Sequence, residues 1–224
     1  FHFLSADLAT APVMTGHAGG VITLNVAEAD DDERVRRRVE LFEPYRTLLG
    51  HLRHESGHYY WDRLIRDTPW HQPFRDLFGD ESADYAQSLQ SHYAAGEQRP
   101  DWRPDFVSAY AAAHPWEDWA ETWAHYLHMV DTLETASAFG LSVRPGIARH
   151  EEALSAKLDF DPHAGGHDIA TLVGDWLPLT FAVNSLNRSM GQPDLYPFVL
   201  SRPAIAKLGF VHAIVHPAQE KNLS

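Results

Sequence analysis

The chain has 224 residues, 44% of them hydrophobic, and a formal net charge of −13. That length and apolar content suffice to bury a real core in a single domain of one or two lobes, and the acidic balance excludes a non-specific phosphate-backbone binder, which needs clustered Lys and Arg. The absence of Cys excludes disulfides and zinc–thiolate sites within the chain and fits a reducing cytoplasm.

Residues 1–19 read as irregular, and Gly16 and Gly19 lead into Gly20-Val21-Ile22-Thr23-Leu24-Asn25-Val26, the best strand in the sequence. Asp30-Asp31-Asp32-Glu33 followed by Arg34-Val35-Arg36-Arg37-Arg38 predicts a helix near 31–40. Its acidic start suits the helix dipole, and its mixed charges mark a solvated face rather than a nucleic-acid patch. Further helices are expected near 43–66, 82–95, 116–138, 148–157 and 168–190. The stretches 67–81, with Pro69, Pro73 and Gly79, and 96–106, with Gly96, Pro100 and Pro104, read as connectors. Segment 140–147 separates a metal-binding part (1–140) from a C-terminal helical part (141–224). No run approaches the ~18 continuous apolar residues of a membrane span.

The apolar-periodic run Tyr45–Arg53 leads directly into His54-Glu55-Ser56-Gly57-His58. Residues four apart on a helix share one face. Both imidazoles can therefore reach one Zn2+ ion, with Glu55 beside them, aimed at a bound water as general base. Leu48, Leu49 and Leu52 before the motif, and Tyr59, Tyr60, Trp61, Leu64 and Ile65 after it, make this helix apolar around much of its circumference and so buried. Buried imidazoles and a buried carboxylate need partners, and a metal supplies them.

A catalytic zinc takes a third protein ligand and keeps one position open. Leu64 and Trp61 stand where a third His and its accompanying Gly would follow the motif, so the ligand comes from elsewhere. The segment His114–His128 offers Glu117 and Glu121 on one helical face, behind Pro115 at a helix start. One glutamate can ligate while the other accepts the distal N–H of a ligating histidine and fixes its tautomer. The reading assigns Glu117 as ligand and Glu121 as support. The competing set is Glu121 with His125 or His128, which otherwise read as packing beside the tryptophans.

Two clusters remain. Pro162-His163-Ala164-Gly165-Gly166-His167-Asp168 reads as a glycine-rich loop rather than a second metal site. In Trp176–Arg188, Asn184, Asn187 and Arg188 are possible substrate-cleft residues, since amides and guanidinium recognise peptide carbonyls or a carboxylate terminus.

The pattern Ser108-Ala109-Tyr110-Ala111-Ala112-Ala113-His114-Pro115-Trp116-Glu117-Asp118-Trp119-Ala120-Glu121 resembles the second active-site helix of gluzincins such as the anthrax lethal factor catalytic domain. The resemblance implies a tyrosine seven residues before the glutamate ligand, facing the scissile carbonyl, which is Tyr110 against Glu117. His114 is a second candidate for that task. Over most of its length the chain is similar to a bacterial family described as “putative zinc-binding metallopeptidases”. The similarity is carried by Val21-Ile22-Thr23-Leu24, Glu43–His51, His58-Tyr59-Tyr60-Trp61-Asp62 and Val130–Ala136. Members often carry a cysteine-rich zinc ribbon ahead of the peptidase region. This chain has no Cys and begins at Phe1, so it looks like a fragment without that ribbon. In zincins an edge strand beside the active-site helix pairs with extended peptide, and residues 21–26 are the expected edge.

The expected molecule is thus an α+β, mainly helical, zincin-like domain with a small sheet and a C-terminal helical part. It holds Zn2+ and hydrolyses peptide bonds in a peptide or protein substrate, with no nucleic-acid or membrane partner. The rival expectation is a degenerate zinc module that binds peptides without cleaving them. Retention of Glu55 disfavours it, because a structural zinc needs no general base.

Overall fold

The computed structural model describes residues 1–5, 13, 15–30, 47–96, 100–146, 154–159, 161 and 166–217. Val21–Asn25 forms a strand with Ile22 and Leu24 buried, as alternation requires. It is the middle of three. We label His2–Leu4 as β1, Gly16–Ala18 as β2 and Val21–Asn25 as β3. Strand β1 pairs with β3 in parallel, His2 opposite Thr23, and β2 pairs with it antiparallel, His17 opposite Ile22. The expectation of a peptide-binding edge at 21–26 is corrected, because both sides of β3 are occupied. Val26 already belongs to a 3-10 turn, Val26–Ala29, capped by Asn25, whose side chain accepts the Ala27 N–H at 3.0 Å.

Helix α1, Leu48–Leu64, begins where Thr47 Oγ1 accepts the Gly50 N–H at 2.9 Å, and it packs on β2 and β3. The expected helix at 31–40 and the start of the one at 43–66 lie outside the described residues. The connector 67–81 contains an unanticipated helix, α2 (His71–Phe78). Pro73 sits in its first turn, where no intrahelical donor is needed, and Phe74 and Phe78 stack at 4.9 Å on its buried side. Helix α3, Tyr85–Ala95, is capped by Asp84, which accepts the Gln87 N–H at 3.0 Å. A 3-10 turn, Ala111–Ala113, precedes α4 (Pro115–Ala138).

Ser142–Val143 (β4) and Ala156–Lys157 (β5) form an antiparallel pair. The strand at 156–157 replaces the end of the helix expected over 148–157, whose residues 148–153 lie outside the described residues. Helix α5, Ile169–Ser189, starts at Asp168, which accepts the Thr171 N–H at 2.8 Å. By length and mean hydropathy (1.2) α5 is apolar enough to cross a membrane, a test that core helices also pass. Its Leu172, Val173, Trp176 and Leu179 are buried. Helix α6, Arg202–Val215, was not expected from the sequence. Ser201 Oγ accepts the Ala204 N–H at its start.

The structure is mainly helical with small sheets, and its contacts divide it into two units. One comprises Phe1–His125 with Leu200–Lys207, the other Tyr126–Val199 with Leu208–Ser224. The division falls within α4, and 200–207 group with the first unit. There Lys207 is tied to Asp118 and to the Asp105 carbonyl, at 2.6 and 2.9 Å. The core of the second unit includes Tyr126, whose hydroxyl donates to His212 Nδ1 at 2.9 Å, and Trp176 packed edge-on against Tyr196.

In the first unit, α1 and α4 touch at Gly57. A Cβ there would stand 2.9 Å from Ala120 Cα and 3.2 Å from Trp123 Cβ. Two indoles close the contact: Trp119 Nε1 donates to the Gly57 carbonyl at 2.8 Å and Trp123 Nε1 to Ser56 Oγ at 3.1 Å. Gly57→Ala should gain about 1 kcal/mol of helix propensity and lose about 1–3 kcal/mol to overpacking. The net expectation is a lower urea midpoint; a midpoint at or above that of the parent would show that the two helices can separate without loss.

Candidate metal centre

His54 and His58 lie one turn apart on α1, and Glu117 lies in the first turn of α4. They are 8%, 4% and 1% exposed. Glu121, one turn beyond Glu117, accepts the His54 Nδ1–H at 2.8 Å, and Ser108 Oγ donates to its other oxygen at 2.6 Å. A proton held on Nδ1 leaves a lone pair on His54 Nε2. That atom faces Glu117 Oε2 at 3.0 Å and His58 Nε2 at 3.1 Å, with His58 Nε2 3.4 Å from the same carboxylate oxygen.

Three acceptor atoms aimed at one point repel each other unless a cation sits among them. Tetrahedral zinc, with bonds of about 2.0–2.1 Å, sets its ligand atoms about 3.3 Å apart, and the observed separations bracket that value. Glu117 Oε2 is buried without a hydrogen-bond partner, as an atom reserved for a metal would be. These residues fit zinc, and they are the one group of at least three His or acidic side chains among the described residues that could hold an ion.

The electrostatics agree. Burial by itself would pull the His54 pKa down, but its contacts with Glu117 and Glu121 raise it well above 6.5. Burial would push both glutamates up; instead the imidazoles hold Glu117 well below the carboxylate range, and His54 brings Glu121 down to about 2. Without a metal, a proton on His54 takes the place of the cation.

The remaining expected residues fall as follows. Glu55 is buried on α1 between the two histidines. The Tyr110 ring lies 5.8 Å from the His54 ring and 5.8 Å from that of His92, and His92 lines a cavity of ≈ 550 Å³ with Trp102, Phe106 and Ala112 among others. The alternative ligand set of Glu121 with His125 or His128 is not assembled: Glu121 is bound to His54, and burial pushes His125 down to about 4.

His114, expected at a substrate cleft, is buried at 4% exposure with both ring nitrogens engaged. In this position it holds the start of α4. Asn184, Asn187 and Arg188 bind the Tyr196 backbone, the Pro193 carbonyl and the Asp194 carboxylate, and so fasten the loop after α5. Asp168 caps α5, and His163 lies outside the described residues.

Two features carry no signal in the sequence: Tyr85, whose hydroxyl reaches Glu117 Oε1, and the part-buried chain Thr15–Glu28–His51, which ties the start of α1 to Asn25 of β3 through Thr15. No spacing rule links these residues to the motif. Ser108 was within the recognised segment but carried no signal of its own.

Over residues 1–214 the chain matches the family described as “Putative zinc-binding metallo-peptidase”. The chain belongs to this family. Among its relatives are uncharacterized proteins of Mycobacterium bovis and Mycobacterium tuberculosis, each 48% identical over 205 residues, which is 91% of this chain and 56% of theirs. The chain thus spans little more than half the length of the curated relatives it matches. No solved structure matches it.

The shifted groups fix the pH response of the metal-free fold. A raised His54 pKa gives stability that is complete below 6.5 and lost as pH rises through the raised value; lowered Glu117 and Glu121 give stability present above 4.5 and lost as pH falls through their folded values. From these three groups the metal-free protein should lose resistance to urea on the alkaline side, a loss that zinc should abolish, while His125, held down to about 4, offsets their gain as pH falls below 6.5. A metal-free urea midpoint that climbs steadily from pH 6 to 8 would contradict this charge assignment.

Proposed function

We propose that this protein is a zinc-dependent peptidase whose ion is held by His54, His58 and Glu117. The observation that carries the reading is the convergence of the three buried acceptor atoms of His54, His58 and Glu117. The arrangement of α1 on the small sheet, with the third ligand supplied by α4, supports a zincin-like fold of the gluzincin kind.

Zinc in such a site supplies Lewis acidity to water and to a substrate carbonyl at neutral pH. The Glu55 carboxylate removes a proton from the attacking water and later delivers it to the leaving amine nitrogen. Tyr110, against the His54 ring, donates its phenolic proton in a hydrogen bond to the carbonyl oxygen as negative charge grows there. Glu121 keeps the His54 proton on Nδ1, and Ser108 orients Glu121. The α1–α4 contact and the ring of Trp116 against His58, 4.1 Å between centroids, exclude water from the back of the site.

A peptide-library digest with zinc-loaded protein tests this. Glu55→Gln should bind zinc at the parent stoichiometry and lose cleavage by about 10²–10⁴-fold, the usual worth of general acid–base catalysis. Cleavage by Glu55→Gln at the parent rate would remove Glu55 from the mechanism. Stoichiometric zinc with no cleavage of any library by the parent would favour a binding module.

A further inference from the structure

Tyr85, the first residue of α3, donates its hydroxyl to Glu117 Oε1 at 2.5 Å, the length of a charge-assisted O–H···O⁻ bond. The other oxygen, Oε2, faces the two histidine nitrogens at 3.0 and 3.4 Å. One carboxylate is therefore divided between a phenol and a metal site.

The phenol is held rigidly in this position. Its ring packs edge-on against His114 and Trp116, with centroids 5.2 and 5.7 Å away. His114 is fixed in turn, Nδ1 accepting the Trp116 N–H at 3.1 Å and Nε2 donating to the Ala83 carbonyl at 3.2 Å. Ala83 lies just before α3 and Trp116 near the start of α4, so His114 staples together the N-termini of the two helices that carry Tyr85 and Glu117. Glu117 is 1% exposed and Tyr85 37%, so the phenol ring reaches the surface while the carboxylate it binds is buried.

A carboxylate can ligate through one oxygen or through both. Binding through both would occupy a further position on the ion, and hydrolysis needs a position open. We propose that Tyr85 is a positioning residue that keeps Glu117 a one-oxygen ligand and so preserves the open coordination position. The inference rests on the zinc reading of this centre.

Tyr85→Phe removes the hydroxyl and retains the ring contacts with His114 and Trp116, so the fold is expected to survive. Cobalt(II) in place of zinc reports coordination number directly, absorbing strongly in the visible with four ligands and weakly with five. The parent should take up one Co2+ per chain with a four-coordinate spectrum. Tyr85→Phe should still bind it, about 10–100-fold more weakly than the parent, and show the weaker five-coordinate spectrum. An unchanged spectrum in the variant, a five-coordinate parent, or complete loss of Co2+ by the variant would each overturn the proposal while leaving the metal site standing. A parent that binds neither Co2+ nor Zn2+ would overturn the metal reading itself and this inference with it.

Discussion

The constraint on which the centre depends is the close approach of two helices at Gly57. A side chain there would collide with Ala120 Cα and Trp123, so the absence of a Cβ sets how near α4 comes to α1. That distance decides whether Glu117 Oε2 reaches the nitrogens of His54 and His58. The aromatic cluster around the contact, Trp119 against Phe74 and Phe78, supplies the apolar burial that holds the helices together. The indole hydrogen bonds from Trp119 and Trp123 satisfy polar atoms that the same burial would otherwise strand.

One turn of α4 then does two jobs. Glu117 presents a bare oxygen to the histidines, and Glu121 fixes the tautomer of the nearer one. Neither carboxylate is left to orient itself. Ser108 holds Glu121, and Tyr85, seated on His114, holds Glu117. Asp118, between them in sequence, points elsewhere, into a buried ion pair with Lys207 of α6 at 2.6 Å. Burial pushes the Asp118 carboxyl up to about 7 even against that ammonium, so the pair is a weak source of stability. Removing one partner would still strand the other, at roughly 3–5 kcal/mol. The pair therefore serves to fix the start of α6 to α4 within the first unit.

Much of this centre is legible in the chain because its chemistry is local. His54, Glu55 and His58 share one helix, and Glu117 and Glu121 share another, so a period of 3.6 residues orders each set without knowledge of the fold. Where a site residue depends on a partner far along the chain, periodicity is silent. Tyr85 stands 32 residues from Glu117, on a helix whose own pattern gives no reason to single it out. His114 shows the same dependence: a histidine beside a metal-ligand segment invites a chemical role, and only the fold reveals that its two nitrogens join two helix starts. Asn184, Asn187 and Arg188 carry recognition chemistry in their side chains and spend it on their own loop. Helix α2 was hidden by Pro73, a residue that breaks helices everywhere except in the first turn, where it sits.

By itself, then, the sequence determined the helices that carry the motif and its glutamates, the kind of ion those side chains suit, and the family to which the chain belongs. These follow from residue identity and short-range geometry. Tertiary structure alone decided that β3 is an interior strand, that segment 200–207 joins the first unit, and that Tyr85 and Ser108 hold the two glutamates. Each is a contact between residues distant in the chain, set by which surfaces pack against which, and no local periodicity encodes that choice.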